Sequence, residues 1–304
     1  MTDHGKRALD HKSFLAALPA DTRTALLLKS NSRGLGRLAL HWGALLLVGA
    51  LIGSKVPMWP LLILPQGILI IFTFTIMHEC THKTPFRTAW LNEAVGQACG
   101  LLIAMPFQWF RYFHLAHHRF THDETRDPEL LGHPKPETLS QYVKHLSGIG
   151  IWAENFRTLL RNATGRCCDS FVPMGASVKI RAESIFIVLF YIVIALFSLT
   201  TSTALITAWI IPVLLGQPFL RLYLLAEHGR CPHVADMFEN SRTTFTNRAV
   251  KTLTWNMPYH AEHHAYPNVP FHRLPDFHRL VRAHLKTTKN GYAAFHKDYI
   301  LTLR

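Results

Sequence analysis

Four long apolar stretches divide the chain. They cover about residues 37–54, 57–77, 184–200 and 203–226, and each is long enough to cross or nearly cross a hydrocarbon core of roughly 30 Å. The third is the clearest, because no charged residue occurs between Ile185 and Phe197, whereas the first contains His41. The pattern predicts an all-α protein with four transmembrane helices.

A fifth apolar run, residues 94–113, has a different pattern. It is interrupted by Gly96, Gly100 and Pro106 and ends in a group of aromatic residues, Phe107, Trp109, Phe110, Tyr112 and Phe113. Aromatic side chains favour the level of the lipid headgroups. We therefore expect these glycines and the proline to break a re-entrant or interfacial segment.

Composition and charge agree with a membrane protein. Only 17% of the 304 residues are charged, whereas roughly a quarter is usual in soluble domains. The net charge of +13 could indicate a nucleic-acid partner, but the connectors at 55–57 and 201–203 contain Lys55 as their single basic residue. The positive-inside rule then places both termini in the cytoplasm. Basic surface near an anionic leaflet explains the net positive charge, so we expect no nucleic-acid partner. The first 36 residues are polar, and this predicts that there is no signal peptide.

Three clusters of histidine carry the candidate chemistry. Residues three and four apart lie on one face of a helix, so each cluster can direct its imidazoles toward one point. Imidazole is a common ligand of iron, zinc and copper, and because a zinc site takes at most four ligands, eight clustered histidines favour two metal ions. The clusters are His78 and His82; His114, His117 and His118; and His260, His263 and His264.

The predicted topology places all three clusters on the cytoplasmic side. The second and fourth spans both end there, and we expect Asn256 to cap the helix of the third cluster, with Pro258 in its first turn and Pro267 after its end. His228, at the end of the fourth span, becomes a candidate ninth ligand, and His122 is its competitor. Carboxylates that could accept the second imidazole N–H are Glu79, Asp123, Asp127, Glu227 and Glu262.

These motifs resemble the integral-membrane fatty acid desaturase and hydroxylase superfamily. The resemblance rests on His-x-x-x-His at 78–82 and on His-x-x-His-His at 114–118 and 260–264, and it covers about residues 40–285. It implies four spans with a cytoplasmic helical cap that holds two iron ions, ligated by the clustered histidines and His228. It also implies O2 as co-substrate and removal of hydrogen from an unactivated C–H bond of a lipid acyl chain. The run from Phe107 to Phe113 is then expected to help line a lipid-chain tunnel.

The resemblance further implies a separate electron donor of the ferredoxin, rubredoxin or cytochrome b5 type, with its reductase. We expect a cytoplasmic N-terminal segment at 1–36, a membrane and cap domain at 37–285, and a C-terminal tail at 286–304. The segments outside the core are too short for an appended electron-transfer module. The third cluster begins with His260 instead of the glutamine of cytochrome-fused relatives, and the spacing of the first does not imply an acyl-CoA substrate.

Three other functions remain open at this point. A hydroxylase or ketolase of the same superfamily would act on a fatty acid, a carotenoid or another hydrophobic metabolite. A membrane zinc metalloprotease would use His78-Glu79-x-x-His82, although this leaves the other six clustered histidines without a role. A metal transporter would normally place its site within the spans.

Overall fold

The computed structural model describes residues 8–304. The first seven residues of the expected N-terminal segment lie outside this range. The described chain is predominantly helical, which confirms the predicted fold class. Up to residue 163 it contains α1 (His11–Ala17), α2 (Ala20–Leu26), α3 (Asn31–Gly53), α4 (Ile63–Ile71), α5 (Thr73–Thr81), α6 (Ala89–Leu102), α7 (Phe107–Phe120), α8 (Pro128–Gly132), α9 (Leu139–Ser147) and α10 (Ile149–Ala163).

The remaining described residues add seven helices and one small parallel sheet. In the sheet, Thr243 pairs with Thr288 and Phe245 pairs with Asn290. The elements are α11 (Ser177–Thr200), α12 (Ile211–His228), α13 (Met237–Asn240), β1 (Thr243–Phe245), α14 (Arg248–Leu253), α15 (His260–Ala265), α16 (Leu274–Val281), β2 (Thr288–Asn290) and α17 (Tyr292–Leu301).

Four helical stretches are long and apolar enough to cross a membrane, which confirms the four predicted spans. They are Ala20–Gly53, Trp59–Thr81, Met174–Thr200 and Ile206–His228. Each stretch extends beyond its apolar residues at one end, so hydropathy alone does not set its bounds. At the start of α3, the Ser30 hydroxyl accepts a hydrogen bond from the backbone N–H of Arg33.

The second and fourth spans touch through their backbones. A Cβ atom added to Gly67 would lie 2.1 Å from the carbonyl oxygen of Pro212, and one added to Gly216 would lie 2.2 Å from that of Gly67. Small residues allow this close approach between membrane helices. The contact fixes the two helical stretches whose ends carry His78 and His228.

The prediction for residues 94–113 is wrong in one respect. Gly96 and Gly100 do not break the chain but lie inside α6, because both are needed for packing: a Cβ atom on Gly96 would lie 2.3 Å from the Phe107 ring. The break occurs only at 103–106, after which the backbone amides of Phe107 and Gln108 donate to the Glu183 carboxylate at 3.1 and 2.8 Å. This carboxylate from the third span caps α7, the helix of the second histidine cluster.

The predicted capping role of Asn256 is also wrong. Asn256 has a left-handed backbone conformation, with φ of 62°, and its side-chain amide donates to the carbonyl oxygen of Phe271 at 2.9 Å. The residue at the cap position of α15 is Tyr259. As predicted, the helix ends before Pro267.

The contact between the second and fourth spans can be tested by adding a single methyl group. Gly67→Ala should lower the thermal stability of the protein, because overpacking costs roughly 1–3 kcal/mol and outweighs the gain of about 1 kcal/mol in helix propensity. Gly43→Ala is the matched control, since nothing lies within 4 Å of a Cβ atom there. Thermal unfolding of both purified variants in detergent measures the difference, and equal stability of the two would contradict the proposed packing constraint.

Candidate metal centre

All nine histidines predicted as ligands meet inside the helical body. They are supplied by the ends of α5 and α12 and by one face each of α7 and α15. Every one is buried except His82, which is half-buried. The set comprises His78, His82, His114, His117, His118, His228, His260, His263 and His264.

Five of these histidines form the first group. One ring nitrogen from each of His78, His82, His114, His118 and His263 lies within 4.8 Å of the others. The Nε2 atoms of His82 and His114 are 2.9 Å apart. Neither ring nitrogen of His118 or of His263 has a hydrogen-bond partner, although both side chains are buried.

The other four histidines form the second group. Ring nitrogens of His117, His228 and His264 lie within 4.8 Å of one another. The Nε2 atom of His228 is 3.2 Å from Nε2 of His117, 3.2 Å from Nε2 of His264 and 2.9 Å from Nε2 of His260. The predicted role of His228 as a member of the cluster therefore agrees with its position.

The expectation that each sequence cluster points to one place is wrong for the second and third clusters. In α7, His114 and His118 belong to the first group and His117 to the second. In α15, His263 belongs to the first group, whereas His260 and His264 face the second. With 3.6 residues per turn, positions i and i+4 nearly align, and position i+3 lies on the other side of the same stripe. The second and third motifs therefore each supply both groups, whereas His78 and His82 of the first motif both belong to the first group.

Protein acceptors hold the Nδ1 atoms of the second group. Nδ1 of His117 donates to Oδ1 of Asp127 at 2.9 Å, and Nδ1 of His228 donates to the carbonyl oxygen of Asn240 at 3.3 Å. With the proton on Nδ1, each Nε2 atom presents a lone pair to the centre of the group.

Of the remaining two histidines of this group, only His264 is oriented by a hydrogen bond at Nδ1. Nδ1 of His264 donates to the Thr121 hydroxyl at 3.2 Å, because that hydroxyl gives its own proton to the carbonyl oxygen of His117 at 2.7 Å. Nδ1 of His260 lies 3.3 Å from a carboxylate oxygen of Glu227. The Nε2 lone pairs of His117, His228 and His264 thus converge in a buried space, and Nε2 of His260 lies 2.9 Å from Nε2 of His228.

At His117 the carboxylates of Glu129 and Asp127 outweigh burial and raise the pKa, whereas burial keeps other imidazoles of the two groups neutral. By penalising the charged form, it lowers the pKa of His82 and of His260 to about 3, and it holds the pKa of His118 and His263 well below the usual value. Neutral imidazole is the metal-binding form. Converging nitrogen lone pairs without donors fit one transition-metal cation in each group.

Glu79 links the first histidine motif to the C-terminal region. One of its carboxylate oxygens accepts hydrogen bonds from the Thr84 hydroxyl at 2.9 Å and from the backbone amide of Phe271 at 3.2 Å. The other oxygen lies 3.7 Å from Nδ1 of His263. Glu79 thus lies behind the first group, as Asp127 and Glu227 lie behind the second.

The structure does not bring two of the predicted carboxylates to the clustered histidines. Asp123 lies in an exposed turn and binds Arg126 at 2.5 Å. Glu262 projects from α15 away from the ligand stripe, accepts a hydrogen bond from the Thr243 hydroxyl at 2.5 Å and contacts His278. Both predictions used closeness in sequence, which does not give the direction of a side chain.

His122, the alternative ninth ligand, lies outside both groups. It has a left-handed conformation, with φ of 64°, and its backbone amide donates to Asp127. Its ring centroid is 5.3 Å from that of His228 and 4.7 Å from that of His233. In the turn that follows α7 this imidazole lies beside His228 but does not belong to the set of converging ring nitrogens.

A cavity of about 110 Å³ reaches both histidine groups. Its apolar wall includes three of the aromatic residues expected to line a tunnel, Trp109, Phe110 and Phe113, whereas Phe107 and Tyr112 are not among its lining residues. Besides the clustered histidines and Glu227, its wall contains polar residues that were not expected from the sequence, which include Glu129, Lys135 and Arg221. Among these, Glu129 lies 3.6 Å from Nε2 of His117; its place two residues after Asp127 was the available signal.

Comparison with known proteins identifies the family. The sequence model of the fatty acid desaturase family matches residues 53–296. The chain belongs to the fatty acid desaturase family. The motif-based resemblance is thereby confirmed.

Individual relatives share low identity with the chain. The omega-6 fatty acid desaturase, endoplasmic reticulum isozyme 1, of Glycine max is 25% identical over 259 residues, covering 78% of this chain and 63% of that protein. The Delta(12) fatty acid desaturase FAD2 of Calendula officinalis is 26% identical over 273 residues, covering 80% and 66%. The chain thus spans just under two thirds of the length of these relatives. The sn-1 acyl-lipid omega-3 desaturase (ferredoxin) of Nostoc sp. (strain 36) is 29% identical over 103 residues, covering 32% and 28%.

The choice of ninth ligand can be tested by metal analysis. His228→Ala should reduce the bound metal from about two ions per chain to about one. The substitution removes the Nε2 atom that lies within 3.2 Å of Nε2 of each other histidine in the second group. His122→Ala should retain both ions. Elemental analysis of protein purified after metal loading measures the ratio, and the reverse result would assign the ninth position to His122.

Asp127 should control the metal affinity of the second group. Asp127→Asn removes the carboxylate that orients His117, and loss of such a partner typically weakens metal binding about 10–100-fold. Competition with a chelator measures this affinity. Asp123→Asn is the control, since its carboxylate binds Arg126 at the surface; a similar loss in both variants would refute a specific role for Asp127.

Proposed function

We propose that this protein is an O2-dependent, di-iron membrane oxidoreductase that acts on unactivated C–H bonds of a lipid acyl chain, and that it is a fatty acid desaturase. Membership of the family and the printed names of the relatives from Glycine max and Calendula officinalis support the reaction class. The chain covers 63% and 66% of these two relatives, and the desaturase activity is therefore proposed for it from this partial match.

The observation that carries the proposal is the contact between the cavity and both histidine groups. His78 and His114 of the first group and His117 and His260 of the second line the same cavity as Trp109 and Phe110. An acyl chain held against these aromatic rings would place a methylene group beside both groups. Apolar surroundings also exclude water and limit side reactions of an oxidant.

The protein's own residues have distinct roles in this proposal. The histidines of each group would hold one iron ion, and the bound pair would supply the redox chemistry with O2 that amino-acid side chains lack. Asp127 and the Thr121 hydroxyl keep the Nε2 atoms of His117 and His264 directed inward. The hydrogen bonds of Glu79 hold the first motif against the C-terminal region.

The proposed setting is a membrane with the metal centre and both termini on the cytoplasmic side. The distribution of basic residues supports this orientation. Electrons would come from a separate ferredoxin, rubredoxin or cytochrome b5 type donor with its reductase. The printed name of the Nostoc relative includes ferredoxin, which supports a donor of that class.

The metalloprotease hypothesis accounts for less of the geometry. It needs the Glu79 carboxylate free to activate water, whereas that carboxylate accepts hydrogen bonds from Thr84 and from the Phe271 amide. It also uses only His78 and His82 of a five-histidine group. A hydroxylase or ketolase would use the same site and differs only in the product.

Product analysis tests the reaction. Host membranes containing the protein should accumulate acyl chains lighter by two hydrogens, and membranes containing the His117→Ala variant at equal abundance should not. Mass spectrometry of the extracted lipids separates this product from one that gains an oxygen atom, which would identify a hydroxylase. Identical lipids in the two samples, with a suitable donor and reductase present, would reject the proposal.

A further inference from the structure

A second cavity reaches the metal centre separately from the one lined by aromatic rings. It has a volume of about 350 Å³ and is lined by His117 and His228 of the second group together with His122 and His233. No Phe, Tyr or Trp is among the described residues that line it. This space, the polar cavity, therefore suits a hydrated ion and not an acyl chain.

Three imidazoles form a row along the polar cavity. The side chain of His233 is 45% exposed, whereas His228 is buried. The ring centroid of His122 lies 4.7 Å from that of His233 and 5.3 Å from that of His228. His122 thus lies between an exposed imidazole and a member of the second group.

His122 presents an unsatisfied donor atom at this position. The residue is buried, and its Nδ1 atom has no hydrogen-bond partner in the part of the chain that the structure describes. A buried polar atom without a partner is costly, and the lone pair of a neutral imidazole can bind a cation. The turn holds the residue in place, because its backbone amide donates to Oδ2 of Asp127 at 2.9 Å.

The surroundings of His122 do not form a permanent metal site. Within residues 8–304, His122 belongs to no group of three or more converging donors, and a stable site normally takes at least three protein ligands. An imidazole that can bind metal, but lacks the partners to retain it, suits a transient ligand.

The outer end of the row combines an imidazole with a carboxylate. Nδ1 of His233 lies 3.2 Å from Oε1 of Glu124, whose side chain is 77% exposed. Imidazole and carboxylate together are typical ligands of ferrous iron. Such a pair at the surface can bind an ion that still carries most of its water.

The charges along the polar cavity permit the entry of a cation. Three carboxylates and two basic side chains line it, namely Asp127, Glu129, Glu137, Lys135 and Arg230. The basic side chains are paired, since Lys135 binds Glu129 at 2.6 Å and Arg230 binds Glu137 at 2.8 Å. The formal charge of the lining is therefore not positive, and repulsion does not oppose a metal ion.

We propose that His233 and His122 form an entry route by which divalent transition-metal ions reach the second histidine group. His233 and Glu124 bind the hydrated ion first, and His122 binds it next. His117 and His228 receive it at the inner end. Each ligand replaces water as the ion enters, so the charge is not buried without partners at any stage. The inference rests on the metal centre of the proposed function and assigns transient ligands to it.

The rate of metal uptake tests the proposal. His122→Asn removes the imidazole, and asparagine tolerates the left-handed backbone of this position. Metal-free protein in nanodiscs is mixed with ferrous ion under anaerobic conditions, and bound iron is measured after quenching with chelator at increasing times. The variant should take up its second ion at least about fivefold more slowly than the unaltered protein and still reach about two ions per chain.

The sign of the effect separates a relay from a simple opening. Asparagine is smaller than histidine, so a passage without transient ligands would load faster in His122→Asn. Unchanged or faster uptake would therefore overturn the proposal. A final content of one ion would make His122 a permanent ligand and would also overturn it. His233→Gln alters only the exposed end and should slow uptake about twofold or more; an unchanged rate there would reject the route.

The rate of metal release provides a second measurement. A transient ligand changes uptake and release by the same factor, because the permanent ligands alone set the equilibrium affinity. Transfer of iron from the loaded His122→Asn protein to excess chelator should therefore slow as much as uptake does. Slower uptake with unchanged or faster release would mean a loss of affinity, which contradicts a transient role.

Two controls restrict the effect to the second group. His228→Ala should retain only the ion of the first group, so the addition of His122→Asn to that variant should not change the rate of uptake. His284→Gln removes an imidazole that binds the Leu9 amide at 2.9 Å and does not line the polar cavity, and it should load normally. Slower uptake in either control would indicate a general effect and overturn the proposal.

The inference and the proposed function can fail separately. Metal uptake that depends on His122, in a protein that forms no oxidised lipid with a suitable donor and reductase, would leave the entry route intact and reject the proposed function. Oxidation of lipids by a protein whose metal uptake does not depend on His122 would do the reverse.

Discussion

The convergence of imidazole lone pairs in a dry interior is the constraint on which this structure depends. In the second group, Nε2 atoms lie 2.9–3.2 Å apart while the opposite nitrogens of His117, His228 and His264 donate to protein acceptors. Such lone pairs repel one another and have lost their hydration. A cation in the centre of each group resolves both costs, and for this reason the donor set fits metal.

The membrane helices and the connecting segments hold this arrangement in place. The backbone contact at Gly67 and Gly216 fixes the spans that end at the first motif and at His228, and Glu183 of the third span caps the helix of the second motif. Glu79 reaches the Phe271 amide across 192 residues of sequence. The position of each imidazole is therefore determined by side chains and backbone atoms far away in the chain.

The cavity joins the metal centre to an apolar wall formed by aromatic rings of α7. The buried side chain of Arg221 lines the same cavity, so α12 supplies both a residue of its wall and His228 of the second histidine group.

The sequence by itself determined the four spans, the helical class and the eight histidines of the three motifs, because apolar length and helical periodicity are local properties; it left His228 and His122 as alternatives for a ninth. It could not assign the histidines to two groups, since that division depends on how α5, α7, α12 and α15 cross. Packing likewise decided that Gly96 stays within a helix and that Asn256 binds Phe271. Asp123 and Asp127 both lie shortly after the second motif in the sequence, yet only Asp127 reaches a clustered imidazole. The tertiary fold decides the direction of each side chain.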